Sequence, residues 1–497
     1  MNIRAGARLV GYSRPFGNNF LTAKSSTRLR WVSNPARQWS TPLAKTIAET
    51  ISTTGPISIA AYMRQCLTSP DGGYYTSRTE GKDQFGPKGD FITSPEISQV
   101  FGELQGIWLV TEWMAQGKIS SGVEIIEVGP GRGTLMDDIL RTINNFTSLA
   151  SSIESIYLVE ASPSLRDAQK QLLCGDAPLK KIDIGFQSTS KYSQLPIIWC
   201  EDIRLVPNEP SKTPFIFAHE FFDALPIHAF QSVLPNPYEA PQTLITPTGP
   251  LSVSTPPKTP QWRELVVTPT PPSPPSTLSA SSSTSSPLPE FQLSPAKAST
   301  PNSLLLPNIS SRYKALLSTP GSTIEISPES HFYASDFAVR IGGSSPSKSQ
   351  PNPRKSNSTG AALIFDYGPS THIPTSTLRG IRDHKTVSPF GTPGLVDISA
   401  DVDFLALTEA ALNASPGVEV HGPVEQGFWL ESMGIKERAE MICNGLEDEE
   451  AKKRVRASVE RLVERGGGGM GRLYKVLAIV PERGGRRPVG FGGTVQQ

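Results

Sequence analysis

The chain alternates short apolar runs with stretches whose apolar residues recur at helical spacing. Six runs have the length of buried strands, at 123–128, 156–160, 197–200, 215–218, 362–368 and 473–480. The first two are followed by amphipathic stretches, over 135–143 and 165–173. Strand, turn and helix in this order predict an α/β domain of the nucleotide-binding type.

Helical segments are predicted ahead of the first strand. A helix over 43–51 precedes a second one, for which Pro56 suits the first turn. Ser94 is a candidate cap for a third helix whose first residue is Pro95. The polar stretch 86–90 before that helix is predicted to be a loop. Two interpretations stay open for it: a lid that contacts a ligand, or a plain connection to a capped helix.

Charge is unevenly distributed along the 497 residues. The formal net charge is +1, which indicates no polyanionic partner such as a nucleic acid. Residues 1–48 contain eight Arg or Lys and no acid, so that 39 basic and 46 acidic residues remain for the rest. An Arg-rich, acid-free start predicts a presequence for the mitochondrial matrix, cleaved within roughly the first 45 residues. The alternative is a basic arm that binds an anionic partner.

Two segments differ from the rest in composition. Residues 267–303 are rich in Pro, Ser and Thr, and 343–359 in Ser, Pro, Lys and Asn. Such segments bury too little apolar surface to offset their ordering entropy, so we predict disordered insertions. The chain then divides into a presequence at 1–42, an N-terminal helical or lid region at 43–120 and a core. The core comprises 121–266, 304–342 and 360–481, separated by the insertions 267–303 and 343–359, and a flexible tail follows at 482–497.

Metal and membrane sites are not predicted. The four cysteines form no C-x-x-C pair and the six histidines no H-E-x-x-H motif, which argues against a zinc site or a disulfide framework. No apolar run approaches the ~20 residues of a membrane helix, so we expect no integral membrane segment.

The densest candidate site is the turn E-V-G-P-G-R-G at 127–133. Glycines let the backbone take positive φ and approach a ligand, and the following helix offers unpaired N–H groups there. The spacing departs from G-x-G-x-x-G, with Thr134 in place of the last glycine, and a Walker lysine is absent. Glu127 with Gly129, Gly131 and Gly133 instead resembles the cofactor loop of S-adenosylmethionine-dependent methyltransferases. A tight turn without a ligand is the alternative.

Acidic residues follow three further strands. Glu160 ends the second strand, and its two oxygens match the two vicinal hydroxyls of a ribose. Asp202 follows the third strand and is a candidate acceptor for an adenine amino group, or an ordinary loop acid. His219, Glu220 and Asp223 follow the fourth strand. Because open α/β sheets bind ligands beyond the carboxyl ends of their strands, we predict a site there.

Seven motifs together resemble the MidA family of methyltransferases, and most closely its mitochondrial protein arginine methyltransferases that act as assembly factors of respiratory complex I. The motifs are G-D-F-I-T-S-P-E-I-S-Q-V-F-G-E, E-V-G-P-G-R-G-T-L-M, V-E-A-S-P-S-L-R, A-H-E-F-F-D-A-L-P-I-H, L-I-F-D-Y-G, P-G-L-V-D-I-S-A-D-V-D-F and G-P-V-E-Q-G. The resemblance implies a seven-stranded sheet, S-adenosylmethionine as donor, and dimethylation of an arginine in a core subunit of NADH dehydrogenase.

The acids of the fourth motif suit this chemistry. A cationic guanidinium is bound bidentately by carboxylates, so Glu220 and Asp223 are the candidate catalytic residues, beside His219. Methyl transfer requires the attacking nitrogen in line with the methyl group, which makes positioning the main task of the site. Two alternatives remain: a methyltransferase for another acceptor, and a non-enzymatic assembly chaperone that kept the fold.

Overall fold

The chain folds around one large sheet with helices on both faces. The computed structural model describes residues 37–76, 89–234, 242–246, 249–253, 259–272, 288–344, 355 and 357–492. From Trp39 onward the chain forms one compact unit. The predicted presequence lies outside the described residues up to position 36, and the predicted loop at 86–90 does so up to position 88.

The helices and strands of these residues are as follows. The helices are α1 Pro42–Thr54, α2 Ile59–Thr68, α3 Ser94–Ile97, α4 Gln99–Ala115, α5 Thr134–Ile143, α6 Thr147–Ala150, α7 Pro163–Cys174, α8 Pro301–Leu305, α9 Ser311–Leu316, α10 Pro328–Gly342, α11 Phe404–Ala414, α12 Gln426–Ser432, α13 Ile435–Asn444 and α14 Glu449–Val463, with 3-10 turns at Ile203–Leu205 and Leu306–Asn308. The strands are β1 Ile57–Ser58, β2 Val123–Val128, β3 Ile153–Val159, β4 Lys180–Ile182, β5 Gly185–Thr189, β6 Pro196–Cys200, β7 Thr213–His219, β8 His228–Val233, β9 Gln242–Thr246, β10 Gly249–Val253, β11 Gln261–Pro269, β12 Phe291–Pro295, β13 Thr323–Ile326, β14 Ala361–Tyr367, β15 Arg379–Arg382, β16 Lys385–Val387, β17 Asp397–Ser399, β18 Val418–Glu425 and β19 Tyr474–Pro481.

The main sheet has nine strands in the order β18-β19-β14-β7-β2-β3-β6-β5-β4. The five central strands, β14 to β6 in this order, run parallel. The strands at both edges pair antiparallel. The predicted α/β class is therefore confirmed, whereas the strand count exceeds seven because the hairpin β4–β5 extends the β6 edge.

The central strands are buried on both faces. In β2, Ile125 packs into the core beneath α4 and α5, and its neighbour Ile126 packs into the core beneath α10 and α11. Phe217 and Ile216 of β7 divide between the same two cores. Successive side chains of a strand point to opposite faces, so a strand covered on both sides needs a continuous apolar run. This is the pattern that made these strands predictable.

A second, antiparallel sheet has the order β1-β11-β8-β13, with β12 paired to β11. It packs against α1 and α2 around a core that includes Ile47, Tyr62, Val267 and Phe291. Sequence patterning does not predict this sheet, since the end of β11 and all of β12 lie within the segment of low complexity. The sheet holds α2 in place, and α2 forms part of the site described below.

One predicted helix start is wrong, and a second predicted helix is interrupted and has Thr93 rather than Ser94 as its cap. Pro56 does not open a helix: β1 follows it, and the Ser58 hydroxyl caps α2 by accepting the N–H of Ala61 at 3.1 Å. The helix predicted from Pro95 is broken after one turn, because Ser98 is extended with φ −153° and starts α4 as a new cap. The break lets α3 turn toward the carboxyl ends of the central strands.

The predicted insertion 267–303 is wrong at both ends. Strand β11 extends to Pro269, β12 pairs with it, and α8 begins at Pro301. Only 273–287 lie outside the described residues of this segment, and in the second predicted insertion 345–354 and 356 do. The predicted presequence boundary also cuts into folded structure, because the Trp39 ring stacks on Phe291 at 5.4 Å and α1 begins at Pro42.

Phe291 provides a test of this correction. Its ring is 1% exposed and contacts Trp39 and Tyr62. We expect Phe291→Ala to lower the free energy of unfolding by about 3–5 kcal/mol, the usual cost of removing a buried phenylalanine ring. Leu288→Ala is the matched control, because Leu288 is 67% exposed in the same segment. Denaturant unfolding measures both variants, and equal stability of the two would contradict the packing of β12.

No helix among the described residues combines the length and the apolar character that crossing a bilayer requires.

Candidate functional site

The glycine turn connects β2 to α5 with three positive φ angles. Gly129, Gly131 and Gly133 have φ of +64°, +52° and +85°. A β-carbon on Gly129 would lie 2.6 Å from Cδ2 of Phe221, closer than such atoms can approach. Gly133 caps α5, and its N–H donates to the Pro130 carbonyl at 2.7 Å. The sequence therefore needs glycine here for backbone conformation and for the approach of the neighbouring loop.

A cavity of about 260 Å³ opens beside this turn, at the carboxyl ends of the central strands. Its walls come from the glycine turn, from the loops after β3, β6 and β7, and from α2, α3 and α10. Six of the predicted site residues line it: Glu127, Gly129, Gly131, Glu160, His219 and Glu220. The position agrees with the rule that open α/β sheets bind ligands at this edge.

Two buried acids face the cavity from adjacent strands. Glu127 is 2% exposed, and its Oε2 has no hydrogen-bond partner among the described residues. Glu160 accepts the N–H of Ser162 at 2.7 Å and the Nε2 amide of Gln169 at 3.0 Å, one on each oxygen. Burial, and then the charge of Glu160, raises the pKa of Glu127 to about 8. Burial also raises the pKa of Glu160, to about 7. Such a pair attracts a cation and donors of hydrogen bonds.

Asp202 and Gly133 do not line the cavity. The Asp202 carboxylate accepts the backbone N–H and the Nε of Arg204, both at 2.8 Å, and thereby caps a 3-10 turn. Its neighbour Glu201 lines the cavity instead. Gly133 has a packing role, since a β-carbon there would lie 3.3 Å from Cγ of Gln169.

Glu220 lies at the end of β7 in a left-handed conformation with φ +47°. Its N–H donates to the Phe365 carbonyl of β14 at 2.9 Å. The carboxyl group contacts the Ser94 N–H and the Tyr474 hydroxyl, but Oε1 has no hydrogen-bond partner in the part of the chain described. Burial, and then Asp223, raises the pKa of Glu220. Non-glycine residues with positive φ cluster at functional sites, and here the turn aims the carboxyl group into the cavity.

Asp366 holds the turn that follows Glu220. Its Oδ2 accepts the backbone N–H groups of Phe221, Phe222 and Asp223, at 3.1, 2.8 and 3.3 Å. A single buried carboxylate oxygen thus fixes three consecutive peptide groups. Asp366 lies at the end of β14, the strand beside β7, and we infer that it is a positioning residue for Glu220 and Asp223.

His219 is a neutral imidazole beside the Glu220 carboxyl group. Its Nε2 lies 3.4 Å from Oε1 of Glu220 and lacks a hydrogen-bond partner among the described residues. Burial lowers the pKa of His219 to about 3, so the ring is uncharged at neutral pH. The ring packs edge-on against Phe101 at 5.1 Å between centroids. An uncharged ring with a free nitrogen can accept a hydrogen bond from a group bound at Glu220.

Asp223 lies behind Glu220 rather than in the cavity wall. Its Oδ2 accepts the Tyr367 hydroxyl, whereas Oδ1 has no hydrogen-bond partner in the described structure. Burial raises the pKa of Asp223, against the opposing effects of Tyr367 and the Arg379 guanidinium. Two neighbouring acids thus each retain a buried oxygen without a donor, an arrangement that a multidentate cation would satisfy.

Sequence reasoning missed three groups of this site: Asp366, Tyr367 and Tyr474. For the first two a signal existed, because they end a predicted strand next to β7. For Tyr474 it did not: this residue begins β19, and only the antiparallel pairing of β19 with β14 brings its start to the same edge as the ends of the parallel strands.

Known proteins resemble this chain in sequence and in fold. Residues 104–424 match the family model of S-adenosyl-L-methionine-dependent methyltransferases. The chain is 33% identical over 461 residues to the human mitochondrial protein arginine methyltransferase NDUFAF7, covering 91% of this chain and 87% of that protein. It is 34% identical over 445 residues to the Drosophila melanogaster homologue, covering 88% and 85%.

A crystal structure of a Burkholderia thailandensis protein bound to S-adenosyl-homocysteine has the same fold. The two structures align with a TM-score of 0.59 and 21% identity, over 91% of this chain and 92% of that one.

Proposed function

Because the chain belongs to the family of S-adenosyl-L-methionine-dependent methyltransferases, we propose that it methylates arginine in a protein. The acceptor that we propose is a core subunit of mitochondrial NADH dehydrogenase, and dimethylation of its arginine supports assembly of complex I. The observation that carries the proposal is the pair of acids Glu220 and Asp223, each with a buried oxygen that lacks a donor among the described residues. The names of the relatives support the choice of arginine.

The cavity fits the cofactor. The unpaired Oε2 of Glu127 is suited to an ammonium group, and Glu160 to the ribose hydroxyls, because each of its oxygens keeps a second lone pair. Gly129 and Gly131 give the backbone close access to the same space. When bound, S-adenosylmethionine supplies a methyl group on a positively charged sulfur, which is open to attack by a nucleophile.

The acids and the imidazole have different roles toward the acceptor arginine. Glu220 and Asp223 bind the guanidinium by charge-assisted hydrogen bonds and hold one nitrogen toward the cavity. Methylation of a guanidinium nitrogen leaves a surplus proton, and His219 lies within reach of that nitrogen's carboxylate partner. Burial raises the pKa of Glu220 and lowers that of His219 to about 3, so we propose that the Glu220 carboxylate takes this proton and that Nε2 of His219 accepts a hydrogen bond from it.

A direct assay tests the proposed function. The protein without its first 36 residues is incubated with methyl-labelled S-adenosylmethionine and with complex I assembly intermediates from mitochondria. We expect label on arginine of a core subunit, with dimethylarginine found by tandem mass spectrometry. Label on another side chain or on a small molecule would replace the acceptor. A complete lack of transfer, with the cofactor bound, would favour the non-enzymatic assembly factor.

Cofactor binding is expected to release a proton. With a pKa of about 8, Glu127 is mostly protonated at pH 7 before binding, and an ammonium group beside it favours the anion. Roughly 0.9 proton should therefore leave per cofactor bound at pH 7, and affinity should rise from pH 6 to pH 8. Calorimetry in buffers of different ionisation enthalpy measures the release. Glu127→Gln should reduce it, and the same binding heat in all buffers would exclude this role.

We propose the mitochondrial matrix as the site of action. The acid-free basic start supports import, and the relatives are named mitochondrial. Because Trp39 packs on Phe291, we place the processing site before residue 39. N-terminal sequencing of the protein from isolated mitochondria checks this, and a mature chain that begins at Met1 would refute it.

A further inference from the structure

A second cleft lies beside Tyr367 and Tyr474, the two tyrosines next to the acids of the site. It is an open groove of about 680 Å³, and the residues that matter here are Tyr367, Arg379, Asp401, Arg472, Leu473 and Tyr474. It shares none of its lining with the cofactor cavity. Its rim carries Leu473, which is 65% exposed, and its floor is formed by the two tyrosines.

The two tyrosines connect the groove with the acids of the site. Their rings meet edge to face, with centroids 5.4 Å apart. The Tyr474 hydroxyl contacts Glu220, and the Tyr367 hydroxyl donates to Asp223. Glu220 itself lines the cofactor cavity. The Glu220 carboxyl group and Tyr474 therefore connect the cofactor cavity with the groove.

We propose that this groove binds an extended segment of the acceptor protein, whose arginine reaches Glu220 and Asp223 when the rings of Tyr367 and Tyr474 separate from their edge-to-face contact. The inference rests on the proposed function and gives the active site a second entrance. The donor occupies the cavity on one side of Glu220, and the acceptor approaches from the other. An in-line transfer needs the nucleophile and the methyl group on opposite approaches to the reacting carbon, which two entrances provide.

The floor of the groove already holds a guanidinium. The Arg379 guanidinium lies over the Tyr367 ring at 4.6 Å, and its Nη1 bonds Asp401 at 2.7 Å. Tyrosine faces attract guanidinium groups, so the ring of Tyr474, which no guanidinium of the described residues covers, suits the arginine of an acceptor. Arg379 is fixed by its ion pair and by burial, and thus marks the wall of the passage rather than filling it.

The rim has features of a peptide-binding surface. Leu473 and Arg472 are adjacent and exposed, at the start of β19, and the Lys475 ammonium caps the backbone there by donating to the Leu473 carbonyl at 3.1 Å. An exposed leucine beside a polar groove suits an apolar residue next to the target arginine. We therefore expect the acceptor segment to carry an apolar residue beside its arginine.

Two variants of the rim test the inference. Leu473→Asp and Leu473→Ala should raise KM for complex I assembly intermediates, the first about tenfold or more, because both remove the apolar contact of the rim. The affinity for S-adenosylmethionine, measured by calorimetry, should stay at the wild-type value. Leu305→Asp is the matched control, since Leu305 is 67% exposed and lines neither space. Unchanged KM in both rim variants would overturn the groove as the acceptor site, as would an equal rise in the control.

A photo-crosslinking residue separates this inference from the proposed function. Placed at position 473 it should crosslink to a complex I subunit, and at position 305 it should not. Crosslinking at 473 without methylation of arginine would refute the proposed function and keep the groove as a docking site. Methylation of arginine without crosslinking at 473 would refute the groove and keep the function.

Discussion

Glu220→Gln is expected to lower methyl transfer to arginine by roughly 10²-fold or more, the scale lost with one well-placed polar group in an active site. The change keeps the size of the side chain but removes the charge that a guanidinium would neutralise. Because Glu220 contacts the cavity without touching Glu127 or Glu160, the affinity for S-adenosylmethionine should stay near that of the wild type. Asp223→Asn should behave similarly, mainly through acceptor binding, since Asp223 lies behind the cavity wall.

Glu124→Gln is the matched control for this experiment. Glu124 is 5% exposed and lies on β2, at the amino end of the same sheet, where burial raises its pKa to about 7. Glu124→Gln should leave methyl transfer unchanged. A loss of transfer in this variant would reveal a general effect of removing a buried acid. The readouts are cofactor affinity by calorimetry and methylarginine by mass spectrometry. Loss of cofactor binding in Glu220→Gln would assign this acid to the donor, and wild-type arginine methylation in both site variants would remove the pair from the mechanism.

Gly131→Val is expected to abolish binding of S-adenosylmethionine while the fold largely survives. Gly131 lines the cavity with φ +52°, a conformation that a β-branched residue strongly disfavours, and the new side chain would enter the space that the ligand needs. Calorimetric titration measures the affinity, and circular dichroism reports the fold. Equal affinity in mutant and wild type would exclude this turn as the binding site.

Backbone strain alone must be separated from the effect on the cavity. Gly175→Val provides this control, because Gly175 has φ +54°, ends α7, and has open space around its missing β-carbon. It should lower the thermal midpoint by an amount similar to that of Gly131→Val without changing cofactor affinity. If Gly175→Val also prevented binding, strain in the fold rather than contact with the ligand would explain both results.

The sequence predicts those parts of the fold whose signal lies within one short segment of the chain. Strands β2 and β7 are continuous apolar runs because helices cover both faces, and the length of each run shows it directly. Strand β18 is mostly half-exposed along its length and carries no such signal. The second sheet depends on pairing between segments far apart in the chain, which neither composition nor periodicity encodes.

The site shows the same division. Glu127, Glu160 and Glu220 follow from strand ends, and the structure brings all three to one cavity. Asp202 and Glu201 are adjacent in sequence after β6, and only the 3-10 turn decides that Glu201 faces the cavity while Asp202 caps the turn. A choice between neighbours of like chemistry depends on backbone direction, which sequence alone did not supply.

The pairing of β11 with β12 has a use in protein engineering. The last rung of this hairpin joins Pro269 to Phe291, and the Thr270 N–H donates to the Glu290 carbonyl at 2.9 Å. The two ends of the connecting segment are thereby clamped side by side, whatever the number of residues between them. Since the entropy of closing a loop grows only slowly with its length, a reporter domain with neighbouring termini could be spliced in place of 273–287. Such a fusion would allow the enzyme to be imaged or purified while both of its chain ends stay native.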